Sequence, residues 1–161
     1  MSEPLSLLRE FHAARLAMLL RHETGARVVE QYDANNTYQY LIAREDVHLS
    51  WLAAAIADLG GVTEPAPASQ PRPAARGADG WLDIAREDAA DAGVFVDAWR
   101  PRVEAMTHAR HRGMLRVILG ETLEQKRFFD QAAAGQLDLL GRRPDHVGQR
   151  VGKVLPTRWI E

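Results

Sequence analysis

Glu45 and His48 are the two residues of this chain whose types and spacing best suit chemistry. They lie in YQYLIAREDVHLSWLAAAIADLGG (Tyr38 to Gly61), where Tyr38, Leu41, Glu45, His48, Leu52, Ala55, Ile56 and Leu59 recur at helical spacing. Such a stripe is the face a helix turns towards a core. Two ionisable groups on it are costly to bury unless each is paired, hydrogen-bonded or bound to a metal. Glu-x-x-His on an inward face supplies a carboxylate that can bridge and a neutral imidazole one turn away, the ligand unit of carboxylate-bridged two-metal bundles. Eleven glutamates and six histidines in 161 positions give about 0.4 such pairs by chance, so placement carries the argument and spacing does not. A second reading of the same residues leaves Glu45 at the edge of the stripe and His48 as a hydrogen-bonded core histidine.

The other candidates are carboxylates and histidines on neighbouring helices. LGETLEQKRFF carries Glu121 and Glu124 three residues apart, with Glu121 nearer the apolar centre of the helical wheel and Arg127 pointing away. This pair is either a carboxylate-only version of the motif or a solvated acidic flank. If the first turn falls at Ala34-Asn35, Glu23 is level with Glu45, whereas by angle His22 faces the core better. A second turn near Arg112-Gly113 would level Glu104 with Glu121, whereas by angle Asp88 is the better-buried carboxylate. Arg15, on an apolar face, either snorkels or pairs with a buried carboxylate.

Four helices must position these groups. Ser2 and Pro4 make a helix start, a hydroxyl cap with proline in the first turn. The first helix is expected to run to about Tyr32 on Leu8, Phe11, Arg15, Met18, Leu19, His22, Ala26 and Val29. Asp33-Ala-Asn-Asn-Thr reads as a turn and cap, and the second helix ends at Gly60-Gly61. Val62 to Gly80 holds four of the eight prolines and no periodicity, which marks a crossover linker. Extended, such a segment reaches about 59 Å at 3.1 Å per residue. The second helix is about 36 Å long at 1.5 Å per residue, so the linker can return along the whole bundle. The third helix starts near Trp81 and carries Ile84, Asp88, Ala92, Phe95 and Trp99 inward, with Pro101 expected to end or kink it. HARHRG (His108 to Gly113) reads as the turn into a fourth helix over about Met114 to Ala134. No strand-like alternation occurs. The fold class is therefore all-α: residues 1–136 as two helical hairpins joined by the crossover at 62–80, and 137–161 as a tail lying on the bundle or against a partner.

Composition removes several function classes. Hydrophobic content of 46% and charged content of 26% are those of a soluble globular chain, and a net charge of −2 gives no reason to expect nucleic acid. No apolar run reaches the roughly 18 residues of a membrane span. The N-terminal segment lacks a basic n-region, so a cytoplasmic location is expected. Cysteine is absent, which rules out disulfides, thiolate nucleophiles and cysteine metal sites in this segment. There is no glycine-rich phosphate loop and no serine-nucleophile elbow.

The chain resembles the ferritin-like superfamily, which includes rubrerythrin-type and other bacterial ferritin-like proteins. The resemblance rests on YLIAREDVHLSWLAAAIADLGG, on four helices with a long crossover between second and third, and on acidic residues in the fourth. In that family each hairpin offers a Glu from one helix and a Glu-x-x-His from the next. Glu45 and His48 match the first motif. Glu121 and Glu124 match the second in part, because Glu124 or Arg127 stands where histidine is expected. The resemblance implies a di-iron or manganese carboxylate oxidoreductase or iron-handling protein, with Glu45 bridging, His48 ligating, and Glu121 with a first-helix residue completing the shell. A homodimer is the expected partner state. The alternative is a metal-free helical bundle serving as an interaction or oligomerisation module, and a third reading is a single-metal hydrolase or transferase using His22, His48 and a carboxylate.

Overall fold

The computed structural model describes residues 3–73, 79–136 and 139. Among them are four helices and no strand: α1 (Glu3–Val28), α2 (Tyr32–Asp58), α3 (Trp81–Glu104) and α4 (Ala109–Ala133). α1 packs chiefly on α2 and α3 on α4, and lighter contacts join α2 to α4 and α1 to α3. The crossover follows α1 from its start to its end. Gly61 lies against Leu5, Glu64 pairs with Arg9, and Arg72 reaches Gly25 and Asp88. It therefore returns along the bundle and sets the first turns of α3 beside those of α2, where the Tyr38 hydroxyl donates to Asp88. No helix among the described residues is long and apolar enough to cross a membrane. The tail at 137–161 falls outside the described residues apart from Leu139, which packs partly buried against the core.

Three boundaries differ from the sequence expectation, each because polar side chains act as caps. The first turn lies at residues 29–31, and Asp33 to Thr37 form the buried first turns of α2. The Gln31 side chain accepts from the Ala34 amide at 2.6 Å, and Thr37 Oγ1 donates to the Asp33 carbonyl at 3.0 Å. Asn35 Nδ2 donates to the carbonyls of Ala26 (2.9 Å) and Val29 (3.4 Å), satisfying acceptors that the end of α1 leaves free. At the second turn, His108 caps α4 by accepting from the His111 amide at 3.2 Å, so the HARHRG run is a cap and first turn. The chain reverses at residues 105–108. Pro101 does not end α3 at once; the helix continues to Glu104, and the carbonyl that loses its donor belongs to exposed Asp97, which water can serve.

Two apolar half-cores fill the bundle. One holds Leu8, Phe11, Leu52, Ile56, Phe95, Trp99, Leu115 and Ile118, with the Phe11 ring edge-on to Phe95 (5.3 Å) and Trp99 (4.9 Å). The other holds Val29, Tyr38, Leu41, Ile42, Trp81, Ile84, Phe128 and Phe129. Asn35 ties the second half-core to the first turn. Replacing it (Asn35→Ala) leaves two buried carbonyls without their donor, and urea unfolding is expected to register a loss of about 1–3 kcal/mol. A loss under about 0.5 kcal/mol would show that water serves those carbonyls equally well.

Candidate functional site: a buried polar layer

Arg15, His22, Glu45, His48, Thr122 and Gln125, all buried, lie between the two half-cores. Their positions follow from the turns. With the first reversal at residues 29–31, the α1 residue as far before it as Glu45 is after it is Arg15. Side chains also lean towards the N-terminus of their own helix, so in this antiparallel pair Glu45 leans towards the turn and His22 away from it, and the two meet. His22 Nδ1 lies 3.0 and 2.8 Å from the two Glu45 oxygens.

The Arg15 guanidinium has no exposed surface. Its Nη2 donates to Gln125 Oε1 at 3.1 Å and lies 3.3 Å from His48 Nδ1, with Glu45 Oε1 at 3.4 Å completing an ion pair. Nη1 reaches Met18 Sδ at 3.7 Å, and the cation sits 5.8 Å from the centre of the Phe95 ring. A guanidinium can only donate, so His48 Nδ1 must be the acceptor and its Nε2 carries the hydrogen. That hydrogen points at Glu121 Oε2, 2.8 Å away. Arg44 holds the same carboxylate bidentately, Nε at 3.1 Å and Nη2 at 2.7 Å. A continuous chain thus runs from His22 inside the bundle through Glu45, Arg15, His48 and Glu121 to Arg44 at the surface.

The protonation states follow. Burial opposes the Glu45 charge, but His22 and Arg15 outweigh it and hold the carboxyl below its ordinary value. Burial likewise works against a charged His22, yet Glu45 by charge and hydrogen bond, helped by Asp88, lifts it above the ordinary value. His48 moves the other way: burial and the nearby Arg15 cation push it down against the pull of Glu121, which keeps it neutral as the tautomer requires. Burial pulls the Arg15 value down and Glu45 and Glu121 oppose it. Glu121 is held low against burial by the Arg44 hydrogen bond and by His48.

Of the residues singled out in the sequence, Glu45, His48, His22 and Glu121 come together, Glu121 at the rim with a third of its side chain exposed. Glu23 is half-buried and outside this chain of contacts. Glu124 is exposed and pairs with Arg127, and Glu104 is exposed and pairs with Arg116. Asp88 is buried but spent elsewhere, on the Tyr38 hydroxyl and on Arg72 Nη1 at 2.8 and 2.9 Å. The inward pair on α4 at the motif's spacing is Thr122 and Gln125, one residue along from the acidic pair. Thr122 Oγ1 is turned back onto the Ile118 carbonyl at 2.8 Å. On α3 the position level with Glu121 is Ala92.

A two-metal carboxylate centre needs several bridging carboxylates and imidazoles whose nitrogens face the metals. Here α1 brings a cation to the level of Glu45, α3 brings alanine, and α4 brings threonine and an amide. No group of three His, Cys, Asp or Glu able to hold a metal occurs among the described residues. These residues do not fit such a centre. Comparison of the chain with family models, curated proteins and solved structures finds no match.

The ion pair at the middle of this layer has a measurable signature. Arg15→Met leaves buried Glu45 with His22 as its one remaining countercharge and is expected to cost about 3–5 kcal/mol in chemical denaturation. Adding Glu45→Gln should recover part of that loss, so the double variant loses less than the two single variants summed. Additive losses, each under about 1 kcal/mol, would contradict a coupled buried pair.

Proposed function

We propose that this chain is a ferritin-like bundle whose metal centre is replaced by an internal ion-pair network, and that it works as a metal-free binding module. The ferritin-like reading is supported by two hairpins, a crossover as long as the bundle, and an inward Glu-x-x-His on the second helix. One observation carries the functional reading: the Arg15 guanidinium lies among Glu45, His48 and Gln125, so both residues of the Glu-x-x-His pair are already engaged by a cation. A fixed cation there supplies the countercharge to Glu45 and repels a divalent ion. The binding role draws support from the seam between α2 and α4. Two clefts open along it, one walled by Tyr40, Leu41 and Phe128 and the other by Trp51, Ala54, Met114 and Val117. Tyr40, Trp51 and Val117 are exposed apolar groups on this face.

The gathering of His22, Glu45, His48 and Glu121 favours a second reading, an iron- or manganese-dependent oxidoreductase in which Arg15 withdraws. Elemental analysis separates the two. Protein purified without chelator, and again after anaerobic Fe(II) addition and desalting, is expected to hold well under one metal per chain, with no change in Glu45→Gln. About two iron or manganese atoms per chain, lost in Glu45→Gln or His48→Ala, would overturn the metal-free reading and support the second.

A further inference from the structure

The cleft above the polar layer, about 740 Å³ with its open mouth, has a floor, two walls and a rim of distinct chemistry. Gln125 forms the floor and is 2% exposed. Its Oε1 accepts from Arg15, and because a guanidinium only donates, the amide is fixed with Nε2 as the free donor. Nε2 has no acceptor among the described residues, and neither has the neighbouring Arg15 Nε. A buried N–H group without an acceptor is uncommon in folded proteins, and that of Gln125 belongs to a residue lining the cleft, where a ligand could serve it.

The walls are apolar. Leu41 is buried, while Phe128 and Tyr40 meet edge-on with ring centres 6.4 Å apart. Tyr40 is 45% exposed and lines the cleft together with Gln125. The charged groups at the rim are Arg44, Glu121 and Glu124. Arg44 is spent bidentately on Glu121, and Glu124 is paired with Arg127. No unpaired cation among the described lining residues faces the cleft, and its carboxylates outnumber its arginine. An anion is therefore disfavoured.

We infer that this cleft binds a small neutral aromatic molecule bearing a carbonyl or amide oxygen. The ring lies against the wall formed by Leu41, Tyr40 and Phe128, and the oxygen accepts from Gln125 Nε2. The site rests on the reading of the bundle as a binding module and gives that module a ligand class.

The test titrates the full chain with benzamide and, separately, with benzoate, following the Gln125 side-chain amide by NMR. Benzamide has about nine non-hydrogen atoms, so an affinity of about 1–20 mM is expected. Benzamide should move the Gln125 amide resonances, and benzoate should bind at least about threefold more weakly. Gln125→Leu should weaken benzamide about tenfold or more. Tyr40→Ala, at an exposed position that leaves the polar layer intact, should weaken it several-fold and keeps the test valid if Gln125→Leu fails to fold. Equal or tighter binding of benzoate, indifference to Tyr40→Ala, or an unmoved Gln125 amide at saturating benzamide would overturn the site. A metal-loaded protein that still takes benzamide through Gln125 supports this site while refuting the metal-free reading. A metal-free protein whose Gln125 does not respond refutes this site alone.

Discussion

A guanidinium enclosed on all sides keeps its proton, so the groups around Arg15 must supply its acceptors and its countercharge. Most of the bundle's interior is arranged by that demand. Glu45 has to be ionised, His48 has to be neutral with Nδ1 free of hydrogen, and Gln125 has to turn its oxygen inward. Each choice fixes the next one out. The His48 hydrogen then needs Glu121, Glu121 as a half-buried carboxylate needs Arg44, and Gln125 is left with its amide nitrogen unspent. Breaking a link inside the layer leaves a buried charge or donor uncompensated, which is far costlier than never having buried it.

The same layer explains why the apolar core is divided and why the crossover is pinned. Half-cores above and below the polar layer supply the hydrophobic stabilisation, and the layer fixes the register between α1, α2 and α4. A second buried cation, Arg72 of the crossover, plays a comparable part at the other end of the site. It passes close to Gly25, where an added Cβ would stand 3.0 Å from its Nη1, and neutralises Asp88 beside Tyr38. Asp88 is thereby kept from the polar layer, although its charge still helps to raise His22.

The helices were legible in the sequence because their stripes are regular, and Glu45, His48, Arg15 and His22 all lay on them. The turns were less legible. Asp33 to Thr37 has turn composition, yet Asn35 and Thr37 satisfy helix-end carbonyls from inside α2, a use of the same polar groups that depends on where α1 lies. Placing the reversal at residues 34–35 made Glu23 the level partner of Glu45; at 29–31 the partner is Arg15, and the predicted chemistry changes from ligand to counter-ion. On α4 the signal is present in the apolar stripe. Leu115, Ile118, Thr122, Gln125, Phe129 and Ala132 form an unbroken stripe at steps of three and four, and it runs through Thr122 and Gln125 rather than through Glu121 and Glu124. The pairing of Asp88 with a crossover arginine had no local signal, since it joins segments whose approach depends on the whole topology.

The tautomer of His48 tests the Arg15-centred account most directly, because it depends on which group faces each ring nitrogen. Long-range nitrogen–proton correlation on labelled protein at about pH 7 reports it without any variant. The account predicts a neutral ring with hydrogen on Nε2 and a bare, hydrogen-bonded Nδ1. A ring protonated at Nδ1, alone or together with Nε2, could not accept from Arg15 and would contradict it.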